Sequence, residues 1–312
     1  MKRLLKIVLW TILIFFILIN FISATNAYKF THFYDAGEVV IKPENKKGMW
    51  DRTKEIFFGK DYIKKKNIPI PDLFSNVTLL TKDDIKLNGW YSEANNAIGA
   101  VALFHGYGDN KTDVLEEGKA FLNMGYNVLL LDFRAHGSSG GNTCTIGHLE
   151  TEDVKLAYDF FKNKGEKNIV LWGISMGAAT VAHAIEEYHL QPTKVILEMP
   201  FATMENAVEG QVRLMDLPEE PLSTLLTFWG GTEHGFWAFS LKPEEDVKNI
   251  HCPVLMQVGL NDIRVTPKER KEVFDNLPQP KQLVIYNNSG HESLCKKEHL
   301  KWLSSVSAFL NS

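Results

Sequence analysis

The chain is 312 residues long, 45% hydrophobic and 23% charged, with a formal net charge of −4. That length allows one large domain or two small ones, and the balance suits a globular fold with a sizeable core. Its charges form no basic stripe and no basic–aromatic interleaving, which excludes a nucleic-acid partner, and no internal repeat or low-complexity tract is present.

Met1-Lys2-Arg3 and Lys6 precede an apolar stretch from Ile7 to Ala24, interrupted only by Thr11, Asn20 and Ser23. About 18 residues at a rise of about 1.5 Å reach about 27 Å, close to the hydrocarbon core of a bilayer. The basic flank predicts a cytoplasmic N-terminus with the remainder exported. Two readings of residues 1–27 stay open. One is an uncleaved membrane anchor, with the catalytic part on the exported side. The other is a signal peptide cut among the small residues Ser23 to Ala27, which would leave a secreted or periplasmic protein. The three cysteines, Cys144, Cys252 and Cys295, are too few and too scattered for a disulfide framework and read as free, mostly buried thiols. His291, Cys295 and His299 lack a second cluster that would complete a zinc site.

Residues 28–72 form a charged, aromatic-dotted lead-in without a clean period, ended by the extended Ile68-Pro69-Ile70-Pro71. A domain of residues 73–312 follows. Val77–Leu80 and Ile85–Tyr91 read as a hairpin turning at Lys82-Asp83-Asp84. A buried strand over Gly99–Phe104, a helix over Lys111–Asn123, a strand over Val128–Leu131 and a helix over Asp153–Asn163 come next. The apolar run Asn168–Trp172 is a strand, Ala178–Ile185 a helix and Val195–Met199 a strand. From about 201 to 245 the rhythm breaks into prolines and aromatics (Phe228, Trp229, Phe236, Trp237), too long for a plain connection and read as a cap. The strand Val254–Val258, a helix from Pro267, the strand Leu283–Tyr286 and a helix over Ser293–Leu310 close the chain. Nearly all-apolar strands alternating with helices predict an α/β fold, a mostly parallel sheet with helices on both faces and antiparallel strands at one edge.

Gly173-Ile174-Ser175-Met176-Gly177 lies between a strand and a helix, the context that makes G-x-S-x-G a nucleophile elbow. The turn is tight, so Gly173 and Gly177 avoid a Cβ clash while Ser175 is pushed clear of the backbone. A serine needs a base, and the base needs an orienting acid, both from loops at the carboxyl ends of the strands. After the strand at 254–258 comes Gly259-Leu260-Asn261-Asp262, and after the strand at 283–286 comes Ser289-Gly290-His291. Asp262 is the candidate acid and His291 the candidate base, in the chain order Ser, Asp, His. The oxyanion donors would be the backbone N–H groups of Met176, after the nucleophile, and Tyr107, in the turn Phe104-His105-Gly106-Tyr107-Gly108-Asp109. His105, His136 and Arg134 read as structural groups around the site floor. Glu150, Glu152 and Asp153 read as helix-start carboxylates that complement the dipole.

At His105-Gly106-Tyr107-Gly108, Asp132-Phe133-Arg134-Ala135-His136-Gly137-Ser138-Ser139-Gly140, the elbow, Gly259–Asp262 and Ser289–His291 the chain resembles the α/β-hydrolase superfamily. In detail it is similar to a short-cap branch that includes Bem46-like hydrolases and the catalytic domain of prolyl oligopeptidases. The resemblance spans residues 75 to 310. It implies an α/β-hydrolase fold with an eight-stranded sheet, a short cap, and a serine hydrolase that needs no metal or other cofactor. The N-terminal apolar helix is not part of that superfamily core. The expected activity is cleavage of a carboxylic ester, thioester or amide through an acyl-enzyme, with a small acyl ester or a peptide as substrate. A serine peptidase or an acyltransferase on the same fold, and a catalytically silent membrane-tethered binding protein, remain the alternatives.

Overall fold

A computed structural model describes residues 1–312, save the side chain of Glu44. Its centre is an eight-stranded sheet, and the strands are numbered here within it. They are β1 (Ser75–Leu80), β2 (Lys86–Ser92), β3 (Gly99–Phe104), β4 (Tyr126–Leu131), β5 (Ile169–Ile174), β6 (Lys194–Glu198), β7 (Val254–Gly259) and β8 (Lys281–Tyr286). The spatial order is β1-β2-β4-β3-β5-β6-β7-β8. Strands β3 to β8 pair in parallel, while the leading hairpin pairs antiparallel with itself and with β4. The parallel sheet with an antiparallel edge is the one the alternation of apolar strands and helices predicted, and the fold is that of an α/β hydrolase, as the resemblance implied.

The helices are α1 (Lys2–Thr31), α2 (Met49–Phe58), α3 (Leu115–Asn123), α4 (Thr151–Asn163), α5 (Met176–Tyr188), α6 (Met204–Arg213), α7 (Leu222–Glu233), α8 (Pro243–Asp246), α9 (Pro267–Asn276), α10 (Leu294–Lys297) and α11 (His299–Leu310). Alternate residues of β3 face opposite ways, as a pleated strand requires. Ala100, Ala102 and Phe104 pack with Val154, Ala157 and Phe161 of α4, Val181 and Ile185 of α5 and Val273 of α9. Val101 and Leu103 pack with Phe121 of α3 and Trp302, Val306 and Phe309 of α11. Covering both faces buries every residue of β3, β4 and β7, which explains why these strands read as continuous apolar runs.

Three elements depart from the sequence reading. Helix α3 begins at Leu115 rather than Lys111. Residues 110–113 are held instead as a turn, with the Asp113 carboxylate accepting from Asn110 N–H and buried Lys111 bound through both its N–H and its ammonium to Asp132. The C-terminal helix is broken at Glu298, whose backbone leaves helical geometry and whose carboxylate accepts from Asn288 N–H and Ser289 Oγ. The lead-in, read without a period, contains the ten-residue helix α2. Its Met49, Trp50, Ile56 and Phe57 stand at i, i+1, i+7 and i+8 on one side of the helix, a period the reading passed over, although none of its residues is buried.

Helix α1 has 30 residues, about 45 Å, and is long and apolar enough to cross a membrane. It divides into two parts. From its start to Leu18 the apolar side chains are exposed. Beyond that, Ser23, Ala27 and Thr31, at i, i+4 and i+8, form a buried small-residue face. That half packs against α7 and α2, in the region of the 201–245 segment that lies over the carboxyl edge of the sheet.

Candidate active site

The elbow is built as the glycine spacing requires. Ser175 joins β5 to α5 at φ 54° and ψ −117°, a backbone region that costs a non-glycine residue on the order of 1–3 kcal/mol. Its N–H is fixed by the Glu198 carbonyl of β6 at 2.8 Å. A Cβ at Gly173 would collide with the Gly177 backbone, and one at Gly177 with the Phe104 carbonyl of β3. Both glycines are therefore steric necessities of the turn.

The three polar side chains meet. His291 Nε2 lies 2.8 Å from Ser175 Oγ, and His291 Nδ1 lies 2.8 Å from Asp262 Oδ2. The loops that carry them touch closely: a Cβ at Gly259 would run into the Gly290 carbonyl, and Asn261 N–H donates to Ser289 O at 3.0 Å. The Asp262 side chain is fully buried. Its second oxygen accepts from Arg264 N–H at 2.8 Å and Val265 N–H at 3.0 Å. Burial pushes the carboxyl up, but the His291 hydrogen bond and charge, together with these two amides, outweigh it, so its pKa is lowered. It therefore stands as a carboxylate beside the imidazole at neutral pH.

The turn after β3 comes against the nucleophile: a Cβ at Gly106 would lie 3.6 Å from Ser175 Cβ. The N–H groups of Tyr107 and Met176 have no hydrogen-bond partner among the described residues, so both are free to donate. Two buried histidines hold this turn. His105 Nε2 accepts from Phe133 N–H at 3.1 Å while Nδ1–H donates to Gly106 O at 2.7 Å. His136 Nε2 accepts from Gly108 N–H at 3.1 Å and Nδ1–H donates to Arg134 O at 2.9 Å. Burial lowers both pKa values, that of His136 to about 4, which keeps each ring neutral with one acceptor nitrogen. His105 and His136 thus position the turn through backbone hydrogen bonds.

The carboxylates at the start of α4 do something other than cap their own helix, which has no side-chain cap. Glu150 gathers the 145–147 loop by accepting from Thr145 N–H, Thr145 Oγ1 and Gly147 N–H. Asp153 binds the Arg134 guanidinium at 2.6 Å, and Glu152 binds it at 3.0 Å. The three cysteines are free, as the sequence predicted. Cys295 Sγ lies 3.6 Å from His299 Nδ1, while His291 faces Ser175 instead. One other group has metal-binding spacing among the described residues. His183, Glu186 and Asp246 hold ligand atoms within 4.8 Å of one another, about 12 Å along α5 from Ser175, and His183 is already paired with Asp246 at 3.0 Å.

Sequence reasoning missed two contributors. Arg264 lines the cavities on both sides of Ser175, and its only signal was a place two residues after Asp262. Phe30, at the end of α1, lines the cavity that holds Ser175 and Met176. Its carbonyl accepts from Tyr107 Oη at 2.5 Å, and its ring stacks on Tyr107 at 4.6 Å. Nothing in an apolar N-terminal run signals such a contact.

The strand order, the strand–elbow–helix turn and the three convergent loops define a class, and by fold the chain is an α/β hydrolase. The family model described as serine aminopeptidase, S33 (Hydrolase_4) matches residues 95–230. The uncharacterized protein YqkD of Bacillus subtilis is 26% identical over 283 residues, covering 88% of this chain and 87% of its own length. The lysophosphatidylserine lipase ABHD12 of Danio rerio is 25% identical over 222 residues, which is 65% of this chain and about half, 52%, of that lipase. Among solved structures, the esterase Pf2001 of Pyrococcus furiosus aligns with a TM-score of 0.65 at 24% identity, covering 80% of this chain and 96% of the esterase. A bacterial membrane phospholipase A aligns at 0.55 and 19% identity over 77% of this chain and 86% of its own. These structural likenesses carry the fold.

Proposed function

We propose that the protein is a membrane-anchored serine hydrolase that cleaves a carboxylic ester through an acyl-enzyme. The observation that carries this reading is the unbroken chain Ser175 Oγ–His291–Asp262, both links at 2.8 Å. His291 Nε2 removes the hydroxyl proton as Ser175 Oγ attacks the carbonyl carbon. The Tyr107 and Met176 N–H groups receive the oxyanion, each such donor typically being worth about 3 kcal/mol in the transition state. The tetrahedral adduct collapses with loss of the alcohol, which takes the proton from His291. Water, deprotonated by the same imidazole, then releases the acid and restores Ser175. Asp262 holds Nδ1–H of His291 throughout and stabilises the imidazolium. The esterase and lipase names of the similar proteins agree with an ester as substrate.

A fluorophosphonate probe tests the reading. Labelling of the folded full chain that is abolished in Ser175→Ala is the expected result. No labelling of the wild type, or equal labelling of the variant, points to a catalytically silent protein. A second reading, hydrolysis of a peptide with a free amino terminus, draws on the family-model description and on Asp109, Asp113, Glu117 and Glu292, carboxylates lining the polar cavity beside Ser175. Turnover of aminoacyl nitroanilides in preference to simple esters would favour it.

For α1 we favour the uncleaved anchor, with the catalytic domain on the exported side. Asn20, Thr25 and Asn26 are polar interruptions that a membrane span does not need, and each is paired outside its own helix. Trp229 Nε1 donates to Asn20 at 3.1 Å, and Thr25 and Asn26 donate to the Phe57 and Ile56 carbonyls at 2.7 and 3.0 Å. Cleavage near Ala27 would strip these partners from α2 and α7. Recovery of the protein in the membrane fraction with residues 1–27 intact is the expected result, and a soluble form starting near Tyr28 the contrary one.

A further inference from the structure

Ser175 stands between two unlike spaces. On one side is a cavity of about 480 Å³, lined by charged groups that include Asp109, Asp113, Arg264, Lys296 and Lys297. On the other is a small pocket of about 50 Å³ that Ser175 shares with Met176, Phe201, Phe30 and Gln211. Phe30 and Gln211 also line a separate, mainly apolar groove of about 350 Å³, together with Ile56, Val212, Met215 and Leu226. Two side chains, Phe30 at the end of α1 and Gln211 on α6, therefore stand at the junction of the nucleophile's pocket and the groove.

The groove runs between α1, α2, α6 and α7, and its mouth has an unusual rim. Ile56, Met215 and Leu217 line it and yet are 62%, 51% and 48% exposed. Met49, Trp50 and Phe58 add further exposed apolar surface on α2. In water such a patch is a liability that generally marks an interaction surface. Its position says what it faces. The exposed apolar half of α1 runs up to Leu18, with Phe21 the next exposed ring. Asn26, in the groove lining, is five residues beyond Phe21, about 7.5 Å along the helix axis. The headgroup layer of a bilayer is on the order of 5–8 Å deep on each side. With α1 in the bilayer, the mouth of the groove lies at headgroup level, and the rim dips toward the lipid.

We infer that this groove receives the acyl chain of a membrane amphiphile directly from the bilayer, and that Phe30 and Gln211 set the chain length the active site accepts. The inference rests on the ester-hydrolase reading and adds the substrate class and the route. An amphiphile entering this way places its chain in the apolar groove, its ester carbonyl at Ser175 and its polar alcohol in the charged cavity, so each part meets a surface of its own polarity. Helix α1 then has two tasks. It tethers the protein, and its last turn builds a wall of the site. The volume of the groove falls within the ~300–1,000 Å³ of small-molecule pockets.

The test uses full-length protein in vesicles of phosphatidylcholine and compares nitrophenyl hexadecanoate with nitrophenyl butanoate. The readout is the ratio of the two kcat/KM values. Gln211→Trp, which fills the junction of groove and pocket, should lower the hexadecanoate-to-butanoate ratio at least tenfold. Leu226→Trp, which plugs the groove farther from Ser175, should lower it in the same direction. Fluorophosphonate labelling of each variant establishes that the catalytic site has formed, and either variant that labels is sufficient. A ratio within twofold of wild type in a labelled plug variant overturns the groove as the acyl route while leaving the hydrolase reading standing. A wild type that neither labels nor cleaves either ester overturns both.

Discussion

Two regions meet at Ser175 and are held together by different physics. Below it, the carboxyl edge of the sheet fixes the site through glycine contacts and buried hydrogen bonds. Gly173, Gly177 and Gly259 let backbones touch, and His105, His136 and Asp262 each hold neighbouring loop backbone. Above it, the roof of α1, α2, α6 and α7 is assembled from small apolar faces and three side-chain hydrogen bonds reaching out from α1. A site whose chemistry tolerates little displacement is built on the rigid half. Access is controlled by the half that an apolar surface can mould. Changes below should therefore cost rate, and changes above should cost selectivity or a modest amount of stability.

The sharpest way to break that contrast is Asp262→Asn. The amide oxygen can keep the Arg264 and Val265 N–H groups, so the loop survives. The amide nitrogen would then face His291 Nδ1 and favour the tautomer that cannot take the serine proton. We expect kcat/KM on a short ester to fall on the order of 10⁴-fold, with little change in thermal midpoint. A loss below tenfold would remove Asp262 from the acid role.

Next in size is an ionisable carboxyl hidden under the elbow. Glu198 ends β6, is fully buried, and receives the indole N–H groups of Trp172 at 3.1 Å and Trp302 at 2.5 Å on one oxygen. Its other oxygen has no partner among the described residues. Burial raises its pKa from 4.5 to about 8, with buried Glu117 adding to the rise and the indole and Gln257 hydrogen bonds opposing it. Between these two values the folded chain holds a proton that the unfolded chain has lost. Stability should thus decline as pH rises from about 4.5 to about 8, at up to ~1.4 kcal/mol per unit from this group. Glu198→Gln carries no such proton. Its melting temperature should overtake that of the wild type at pH 9 and not at pH 5. Parallel curves for the two proteins would show that Glu198 ionises without cost.

The same division explains what could be read without coordinates. The lower half was legible because its constraints are local. An elbow needs small residues at fixed spacing around Ser175, and the loops that end β7 and β8 present Asp262 and His291 just after apolar runs. The cap segment was legible only as a break in rhythm. Phe30 was not legible at all, because its partner Tyr107 is 77 residues away and a long apolar helix looks the same whether or not its last turn enters a site. Helix α2 was legible but passed over: Met49, Trp50, Ile56 and Phe57 keep a helical period within a charged segment. The start of α4 misled because Glu150 turns back to the loop just before it and Asp153 reaches Arg134, rather than the first amides of their own helix.

The smallest effect probes how firmly the roof is tied down. Asn20 is a polar residue inside an otherwise apolar stretch, and its side chain accepts the Trp229 indole N–H of α7. Were α1 only a tether, alanine there would make the span more apolar and carry no penalty. If α1 is also the roof, Asn20→Ala leaves a partly buried indole donor without its acceptor, at about 1 kcal/mol. For a chain of this size that is about 2 °C in melting temperature, measured in detergent or vesicles at neutral pH. Trp229→Phe should produce a shift of similar size. The double variant should be less destabilised than the sum of the two, because both remove one shared bond. Additive shifts would mean that Asn20 and Trp229 do not meet, and would detach α1 from the roof of the site.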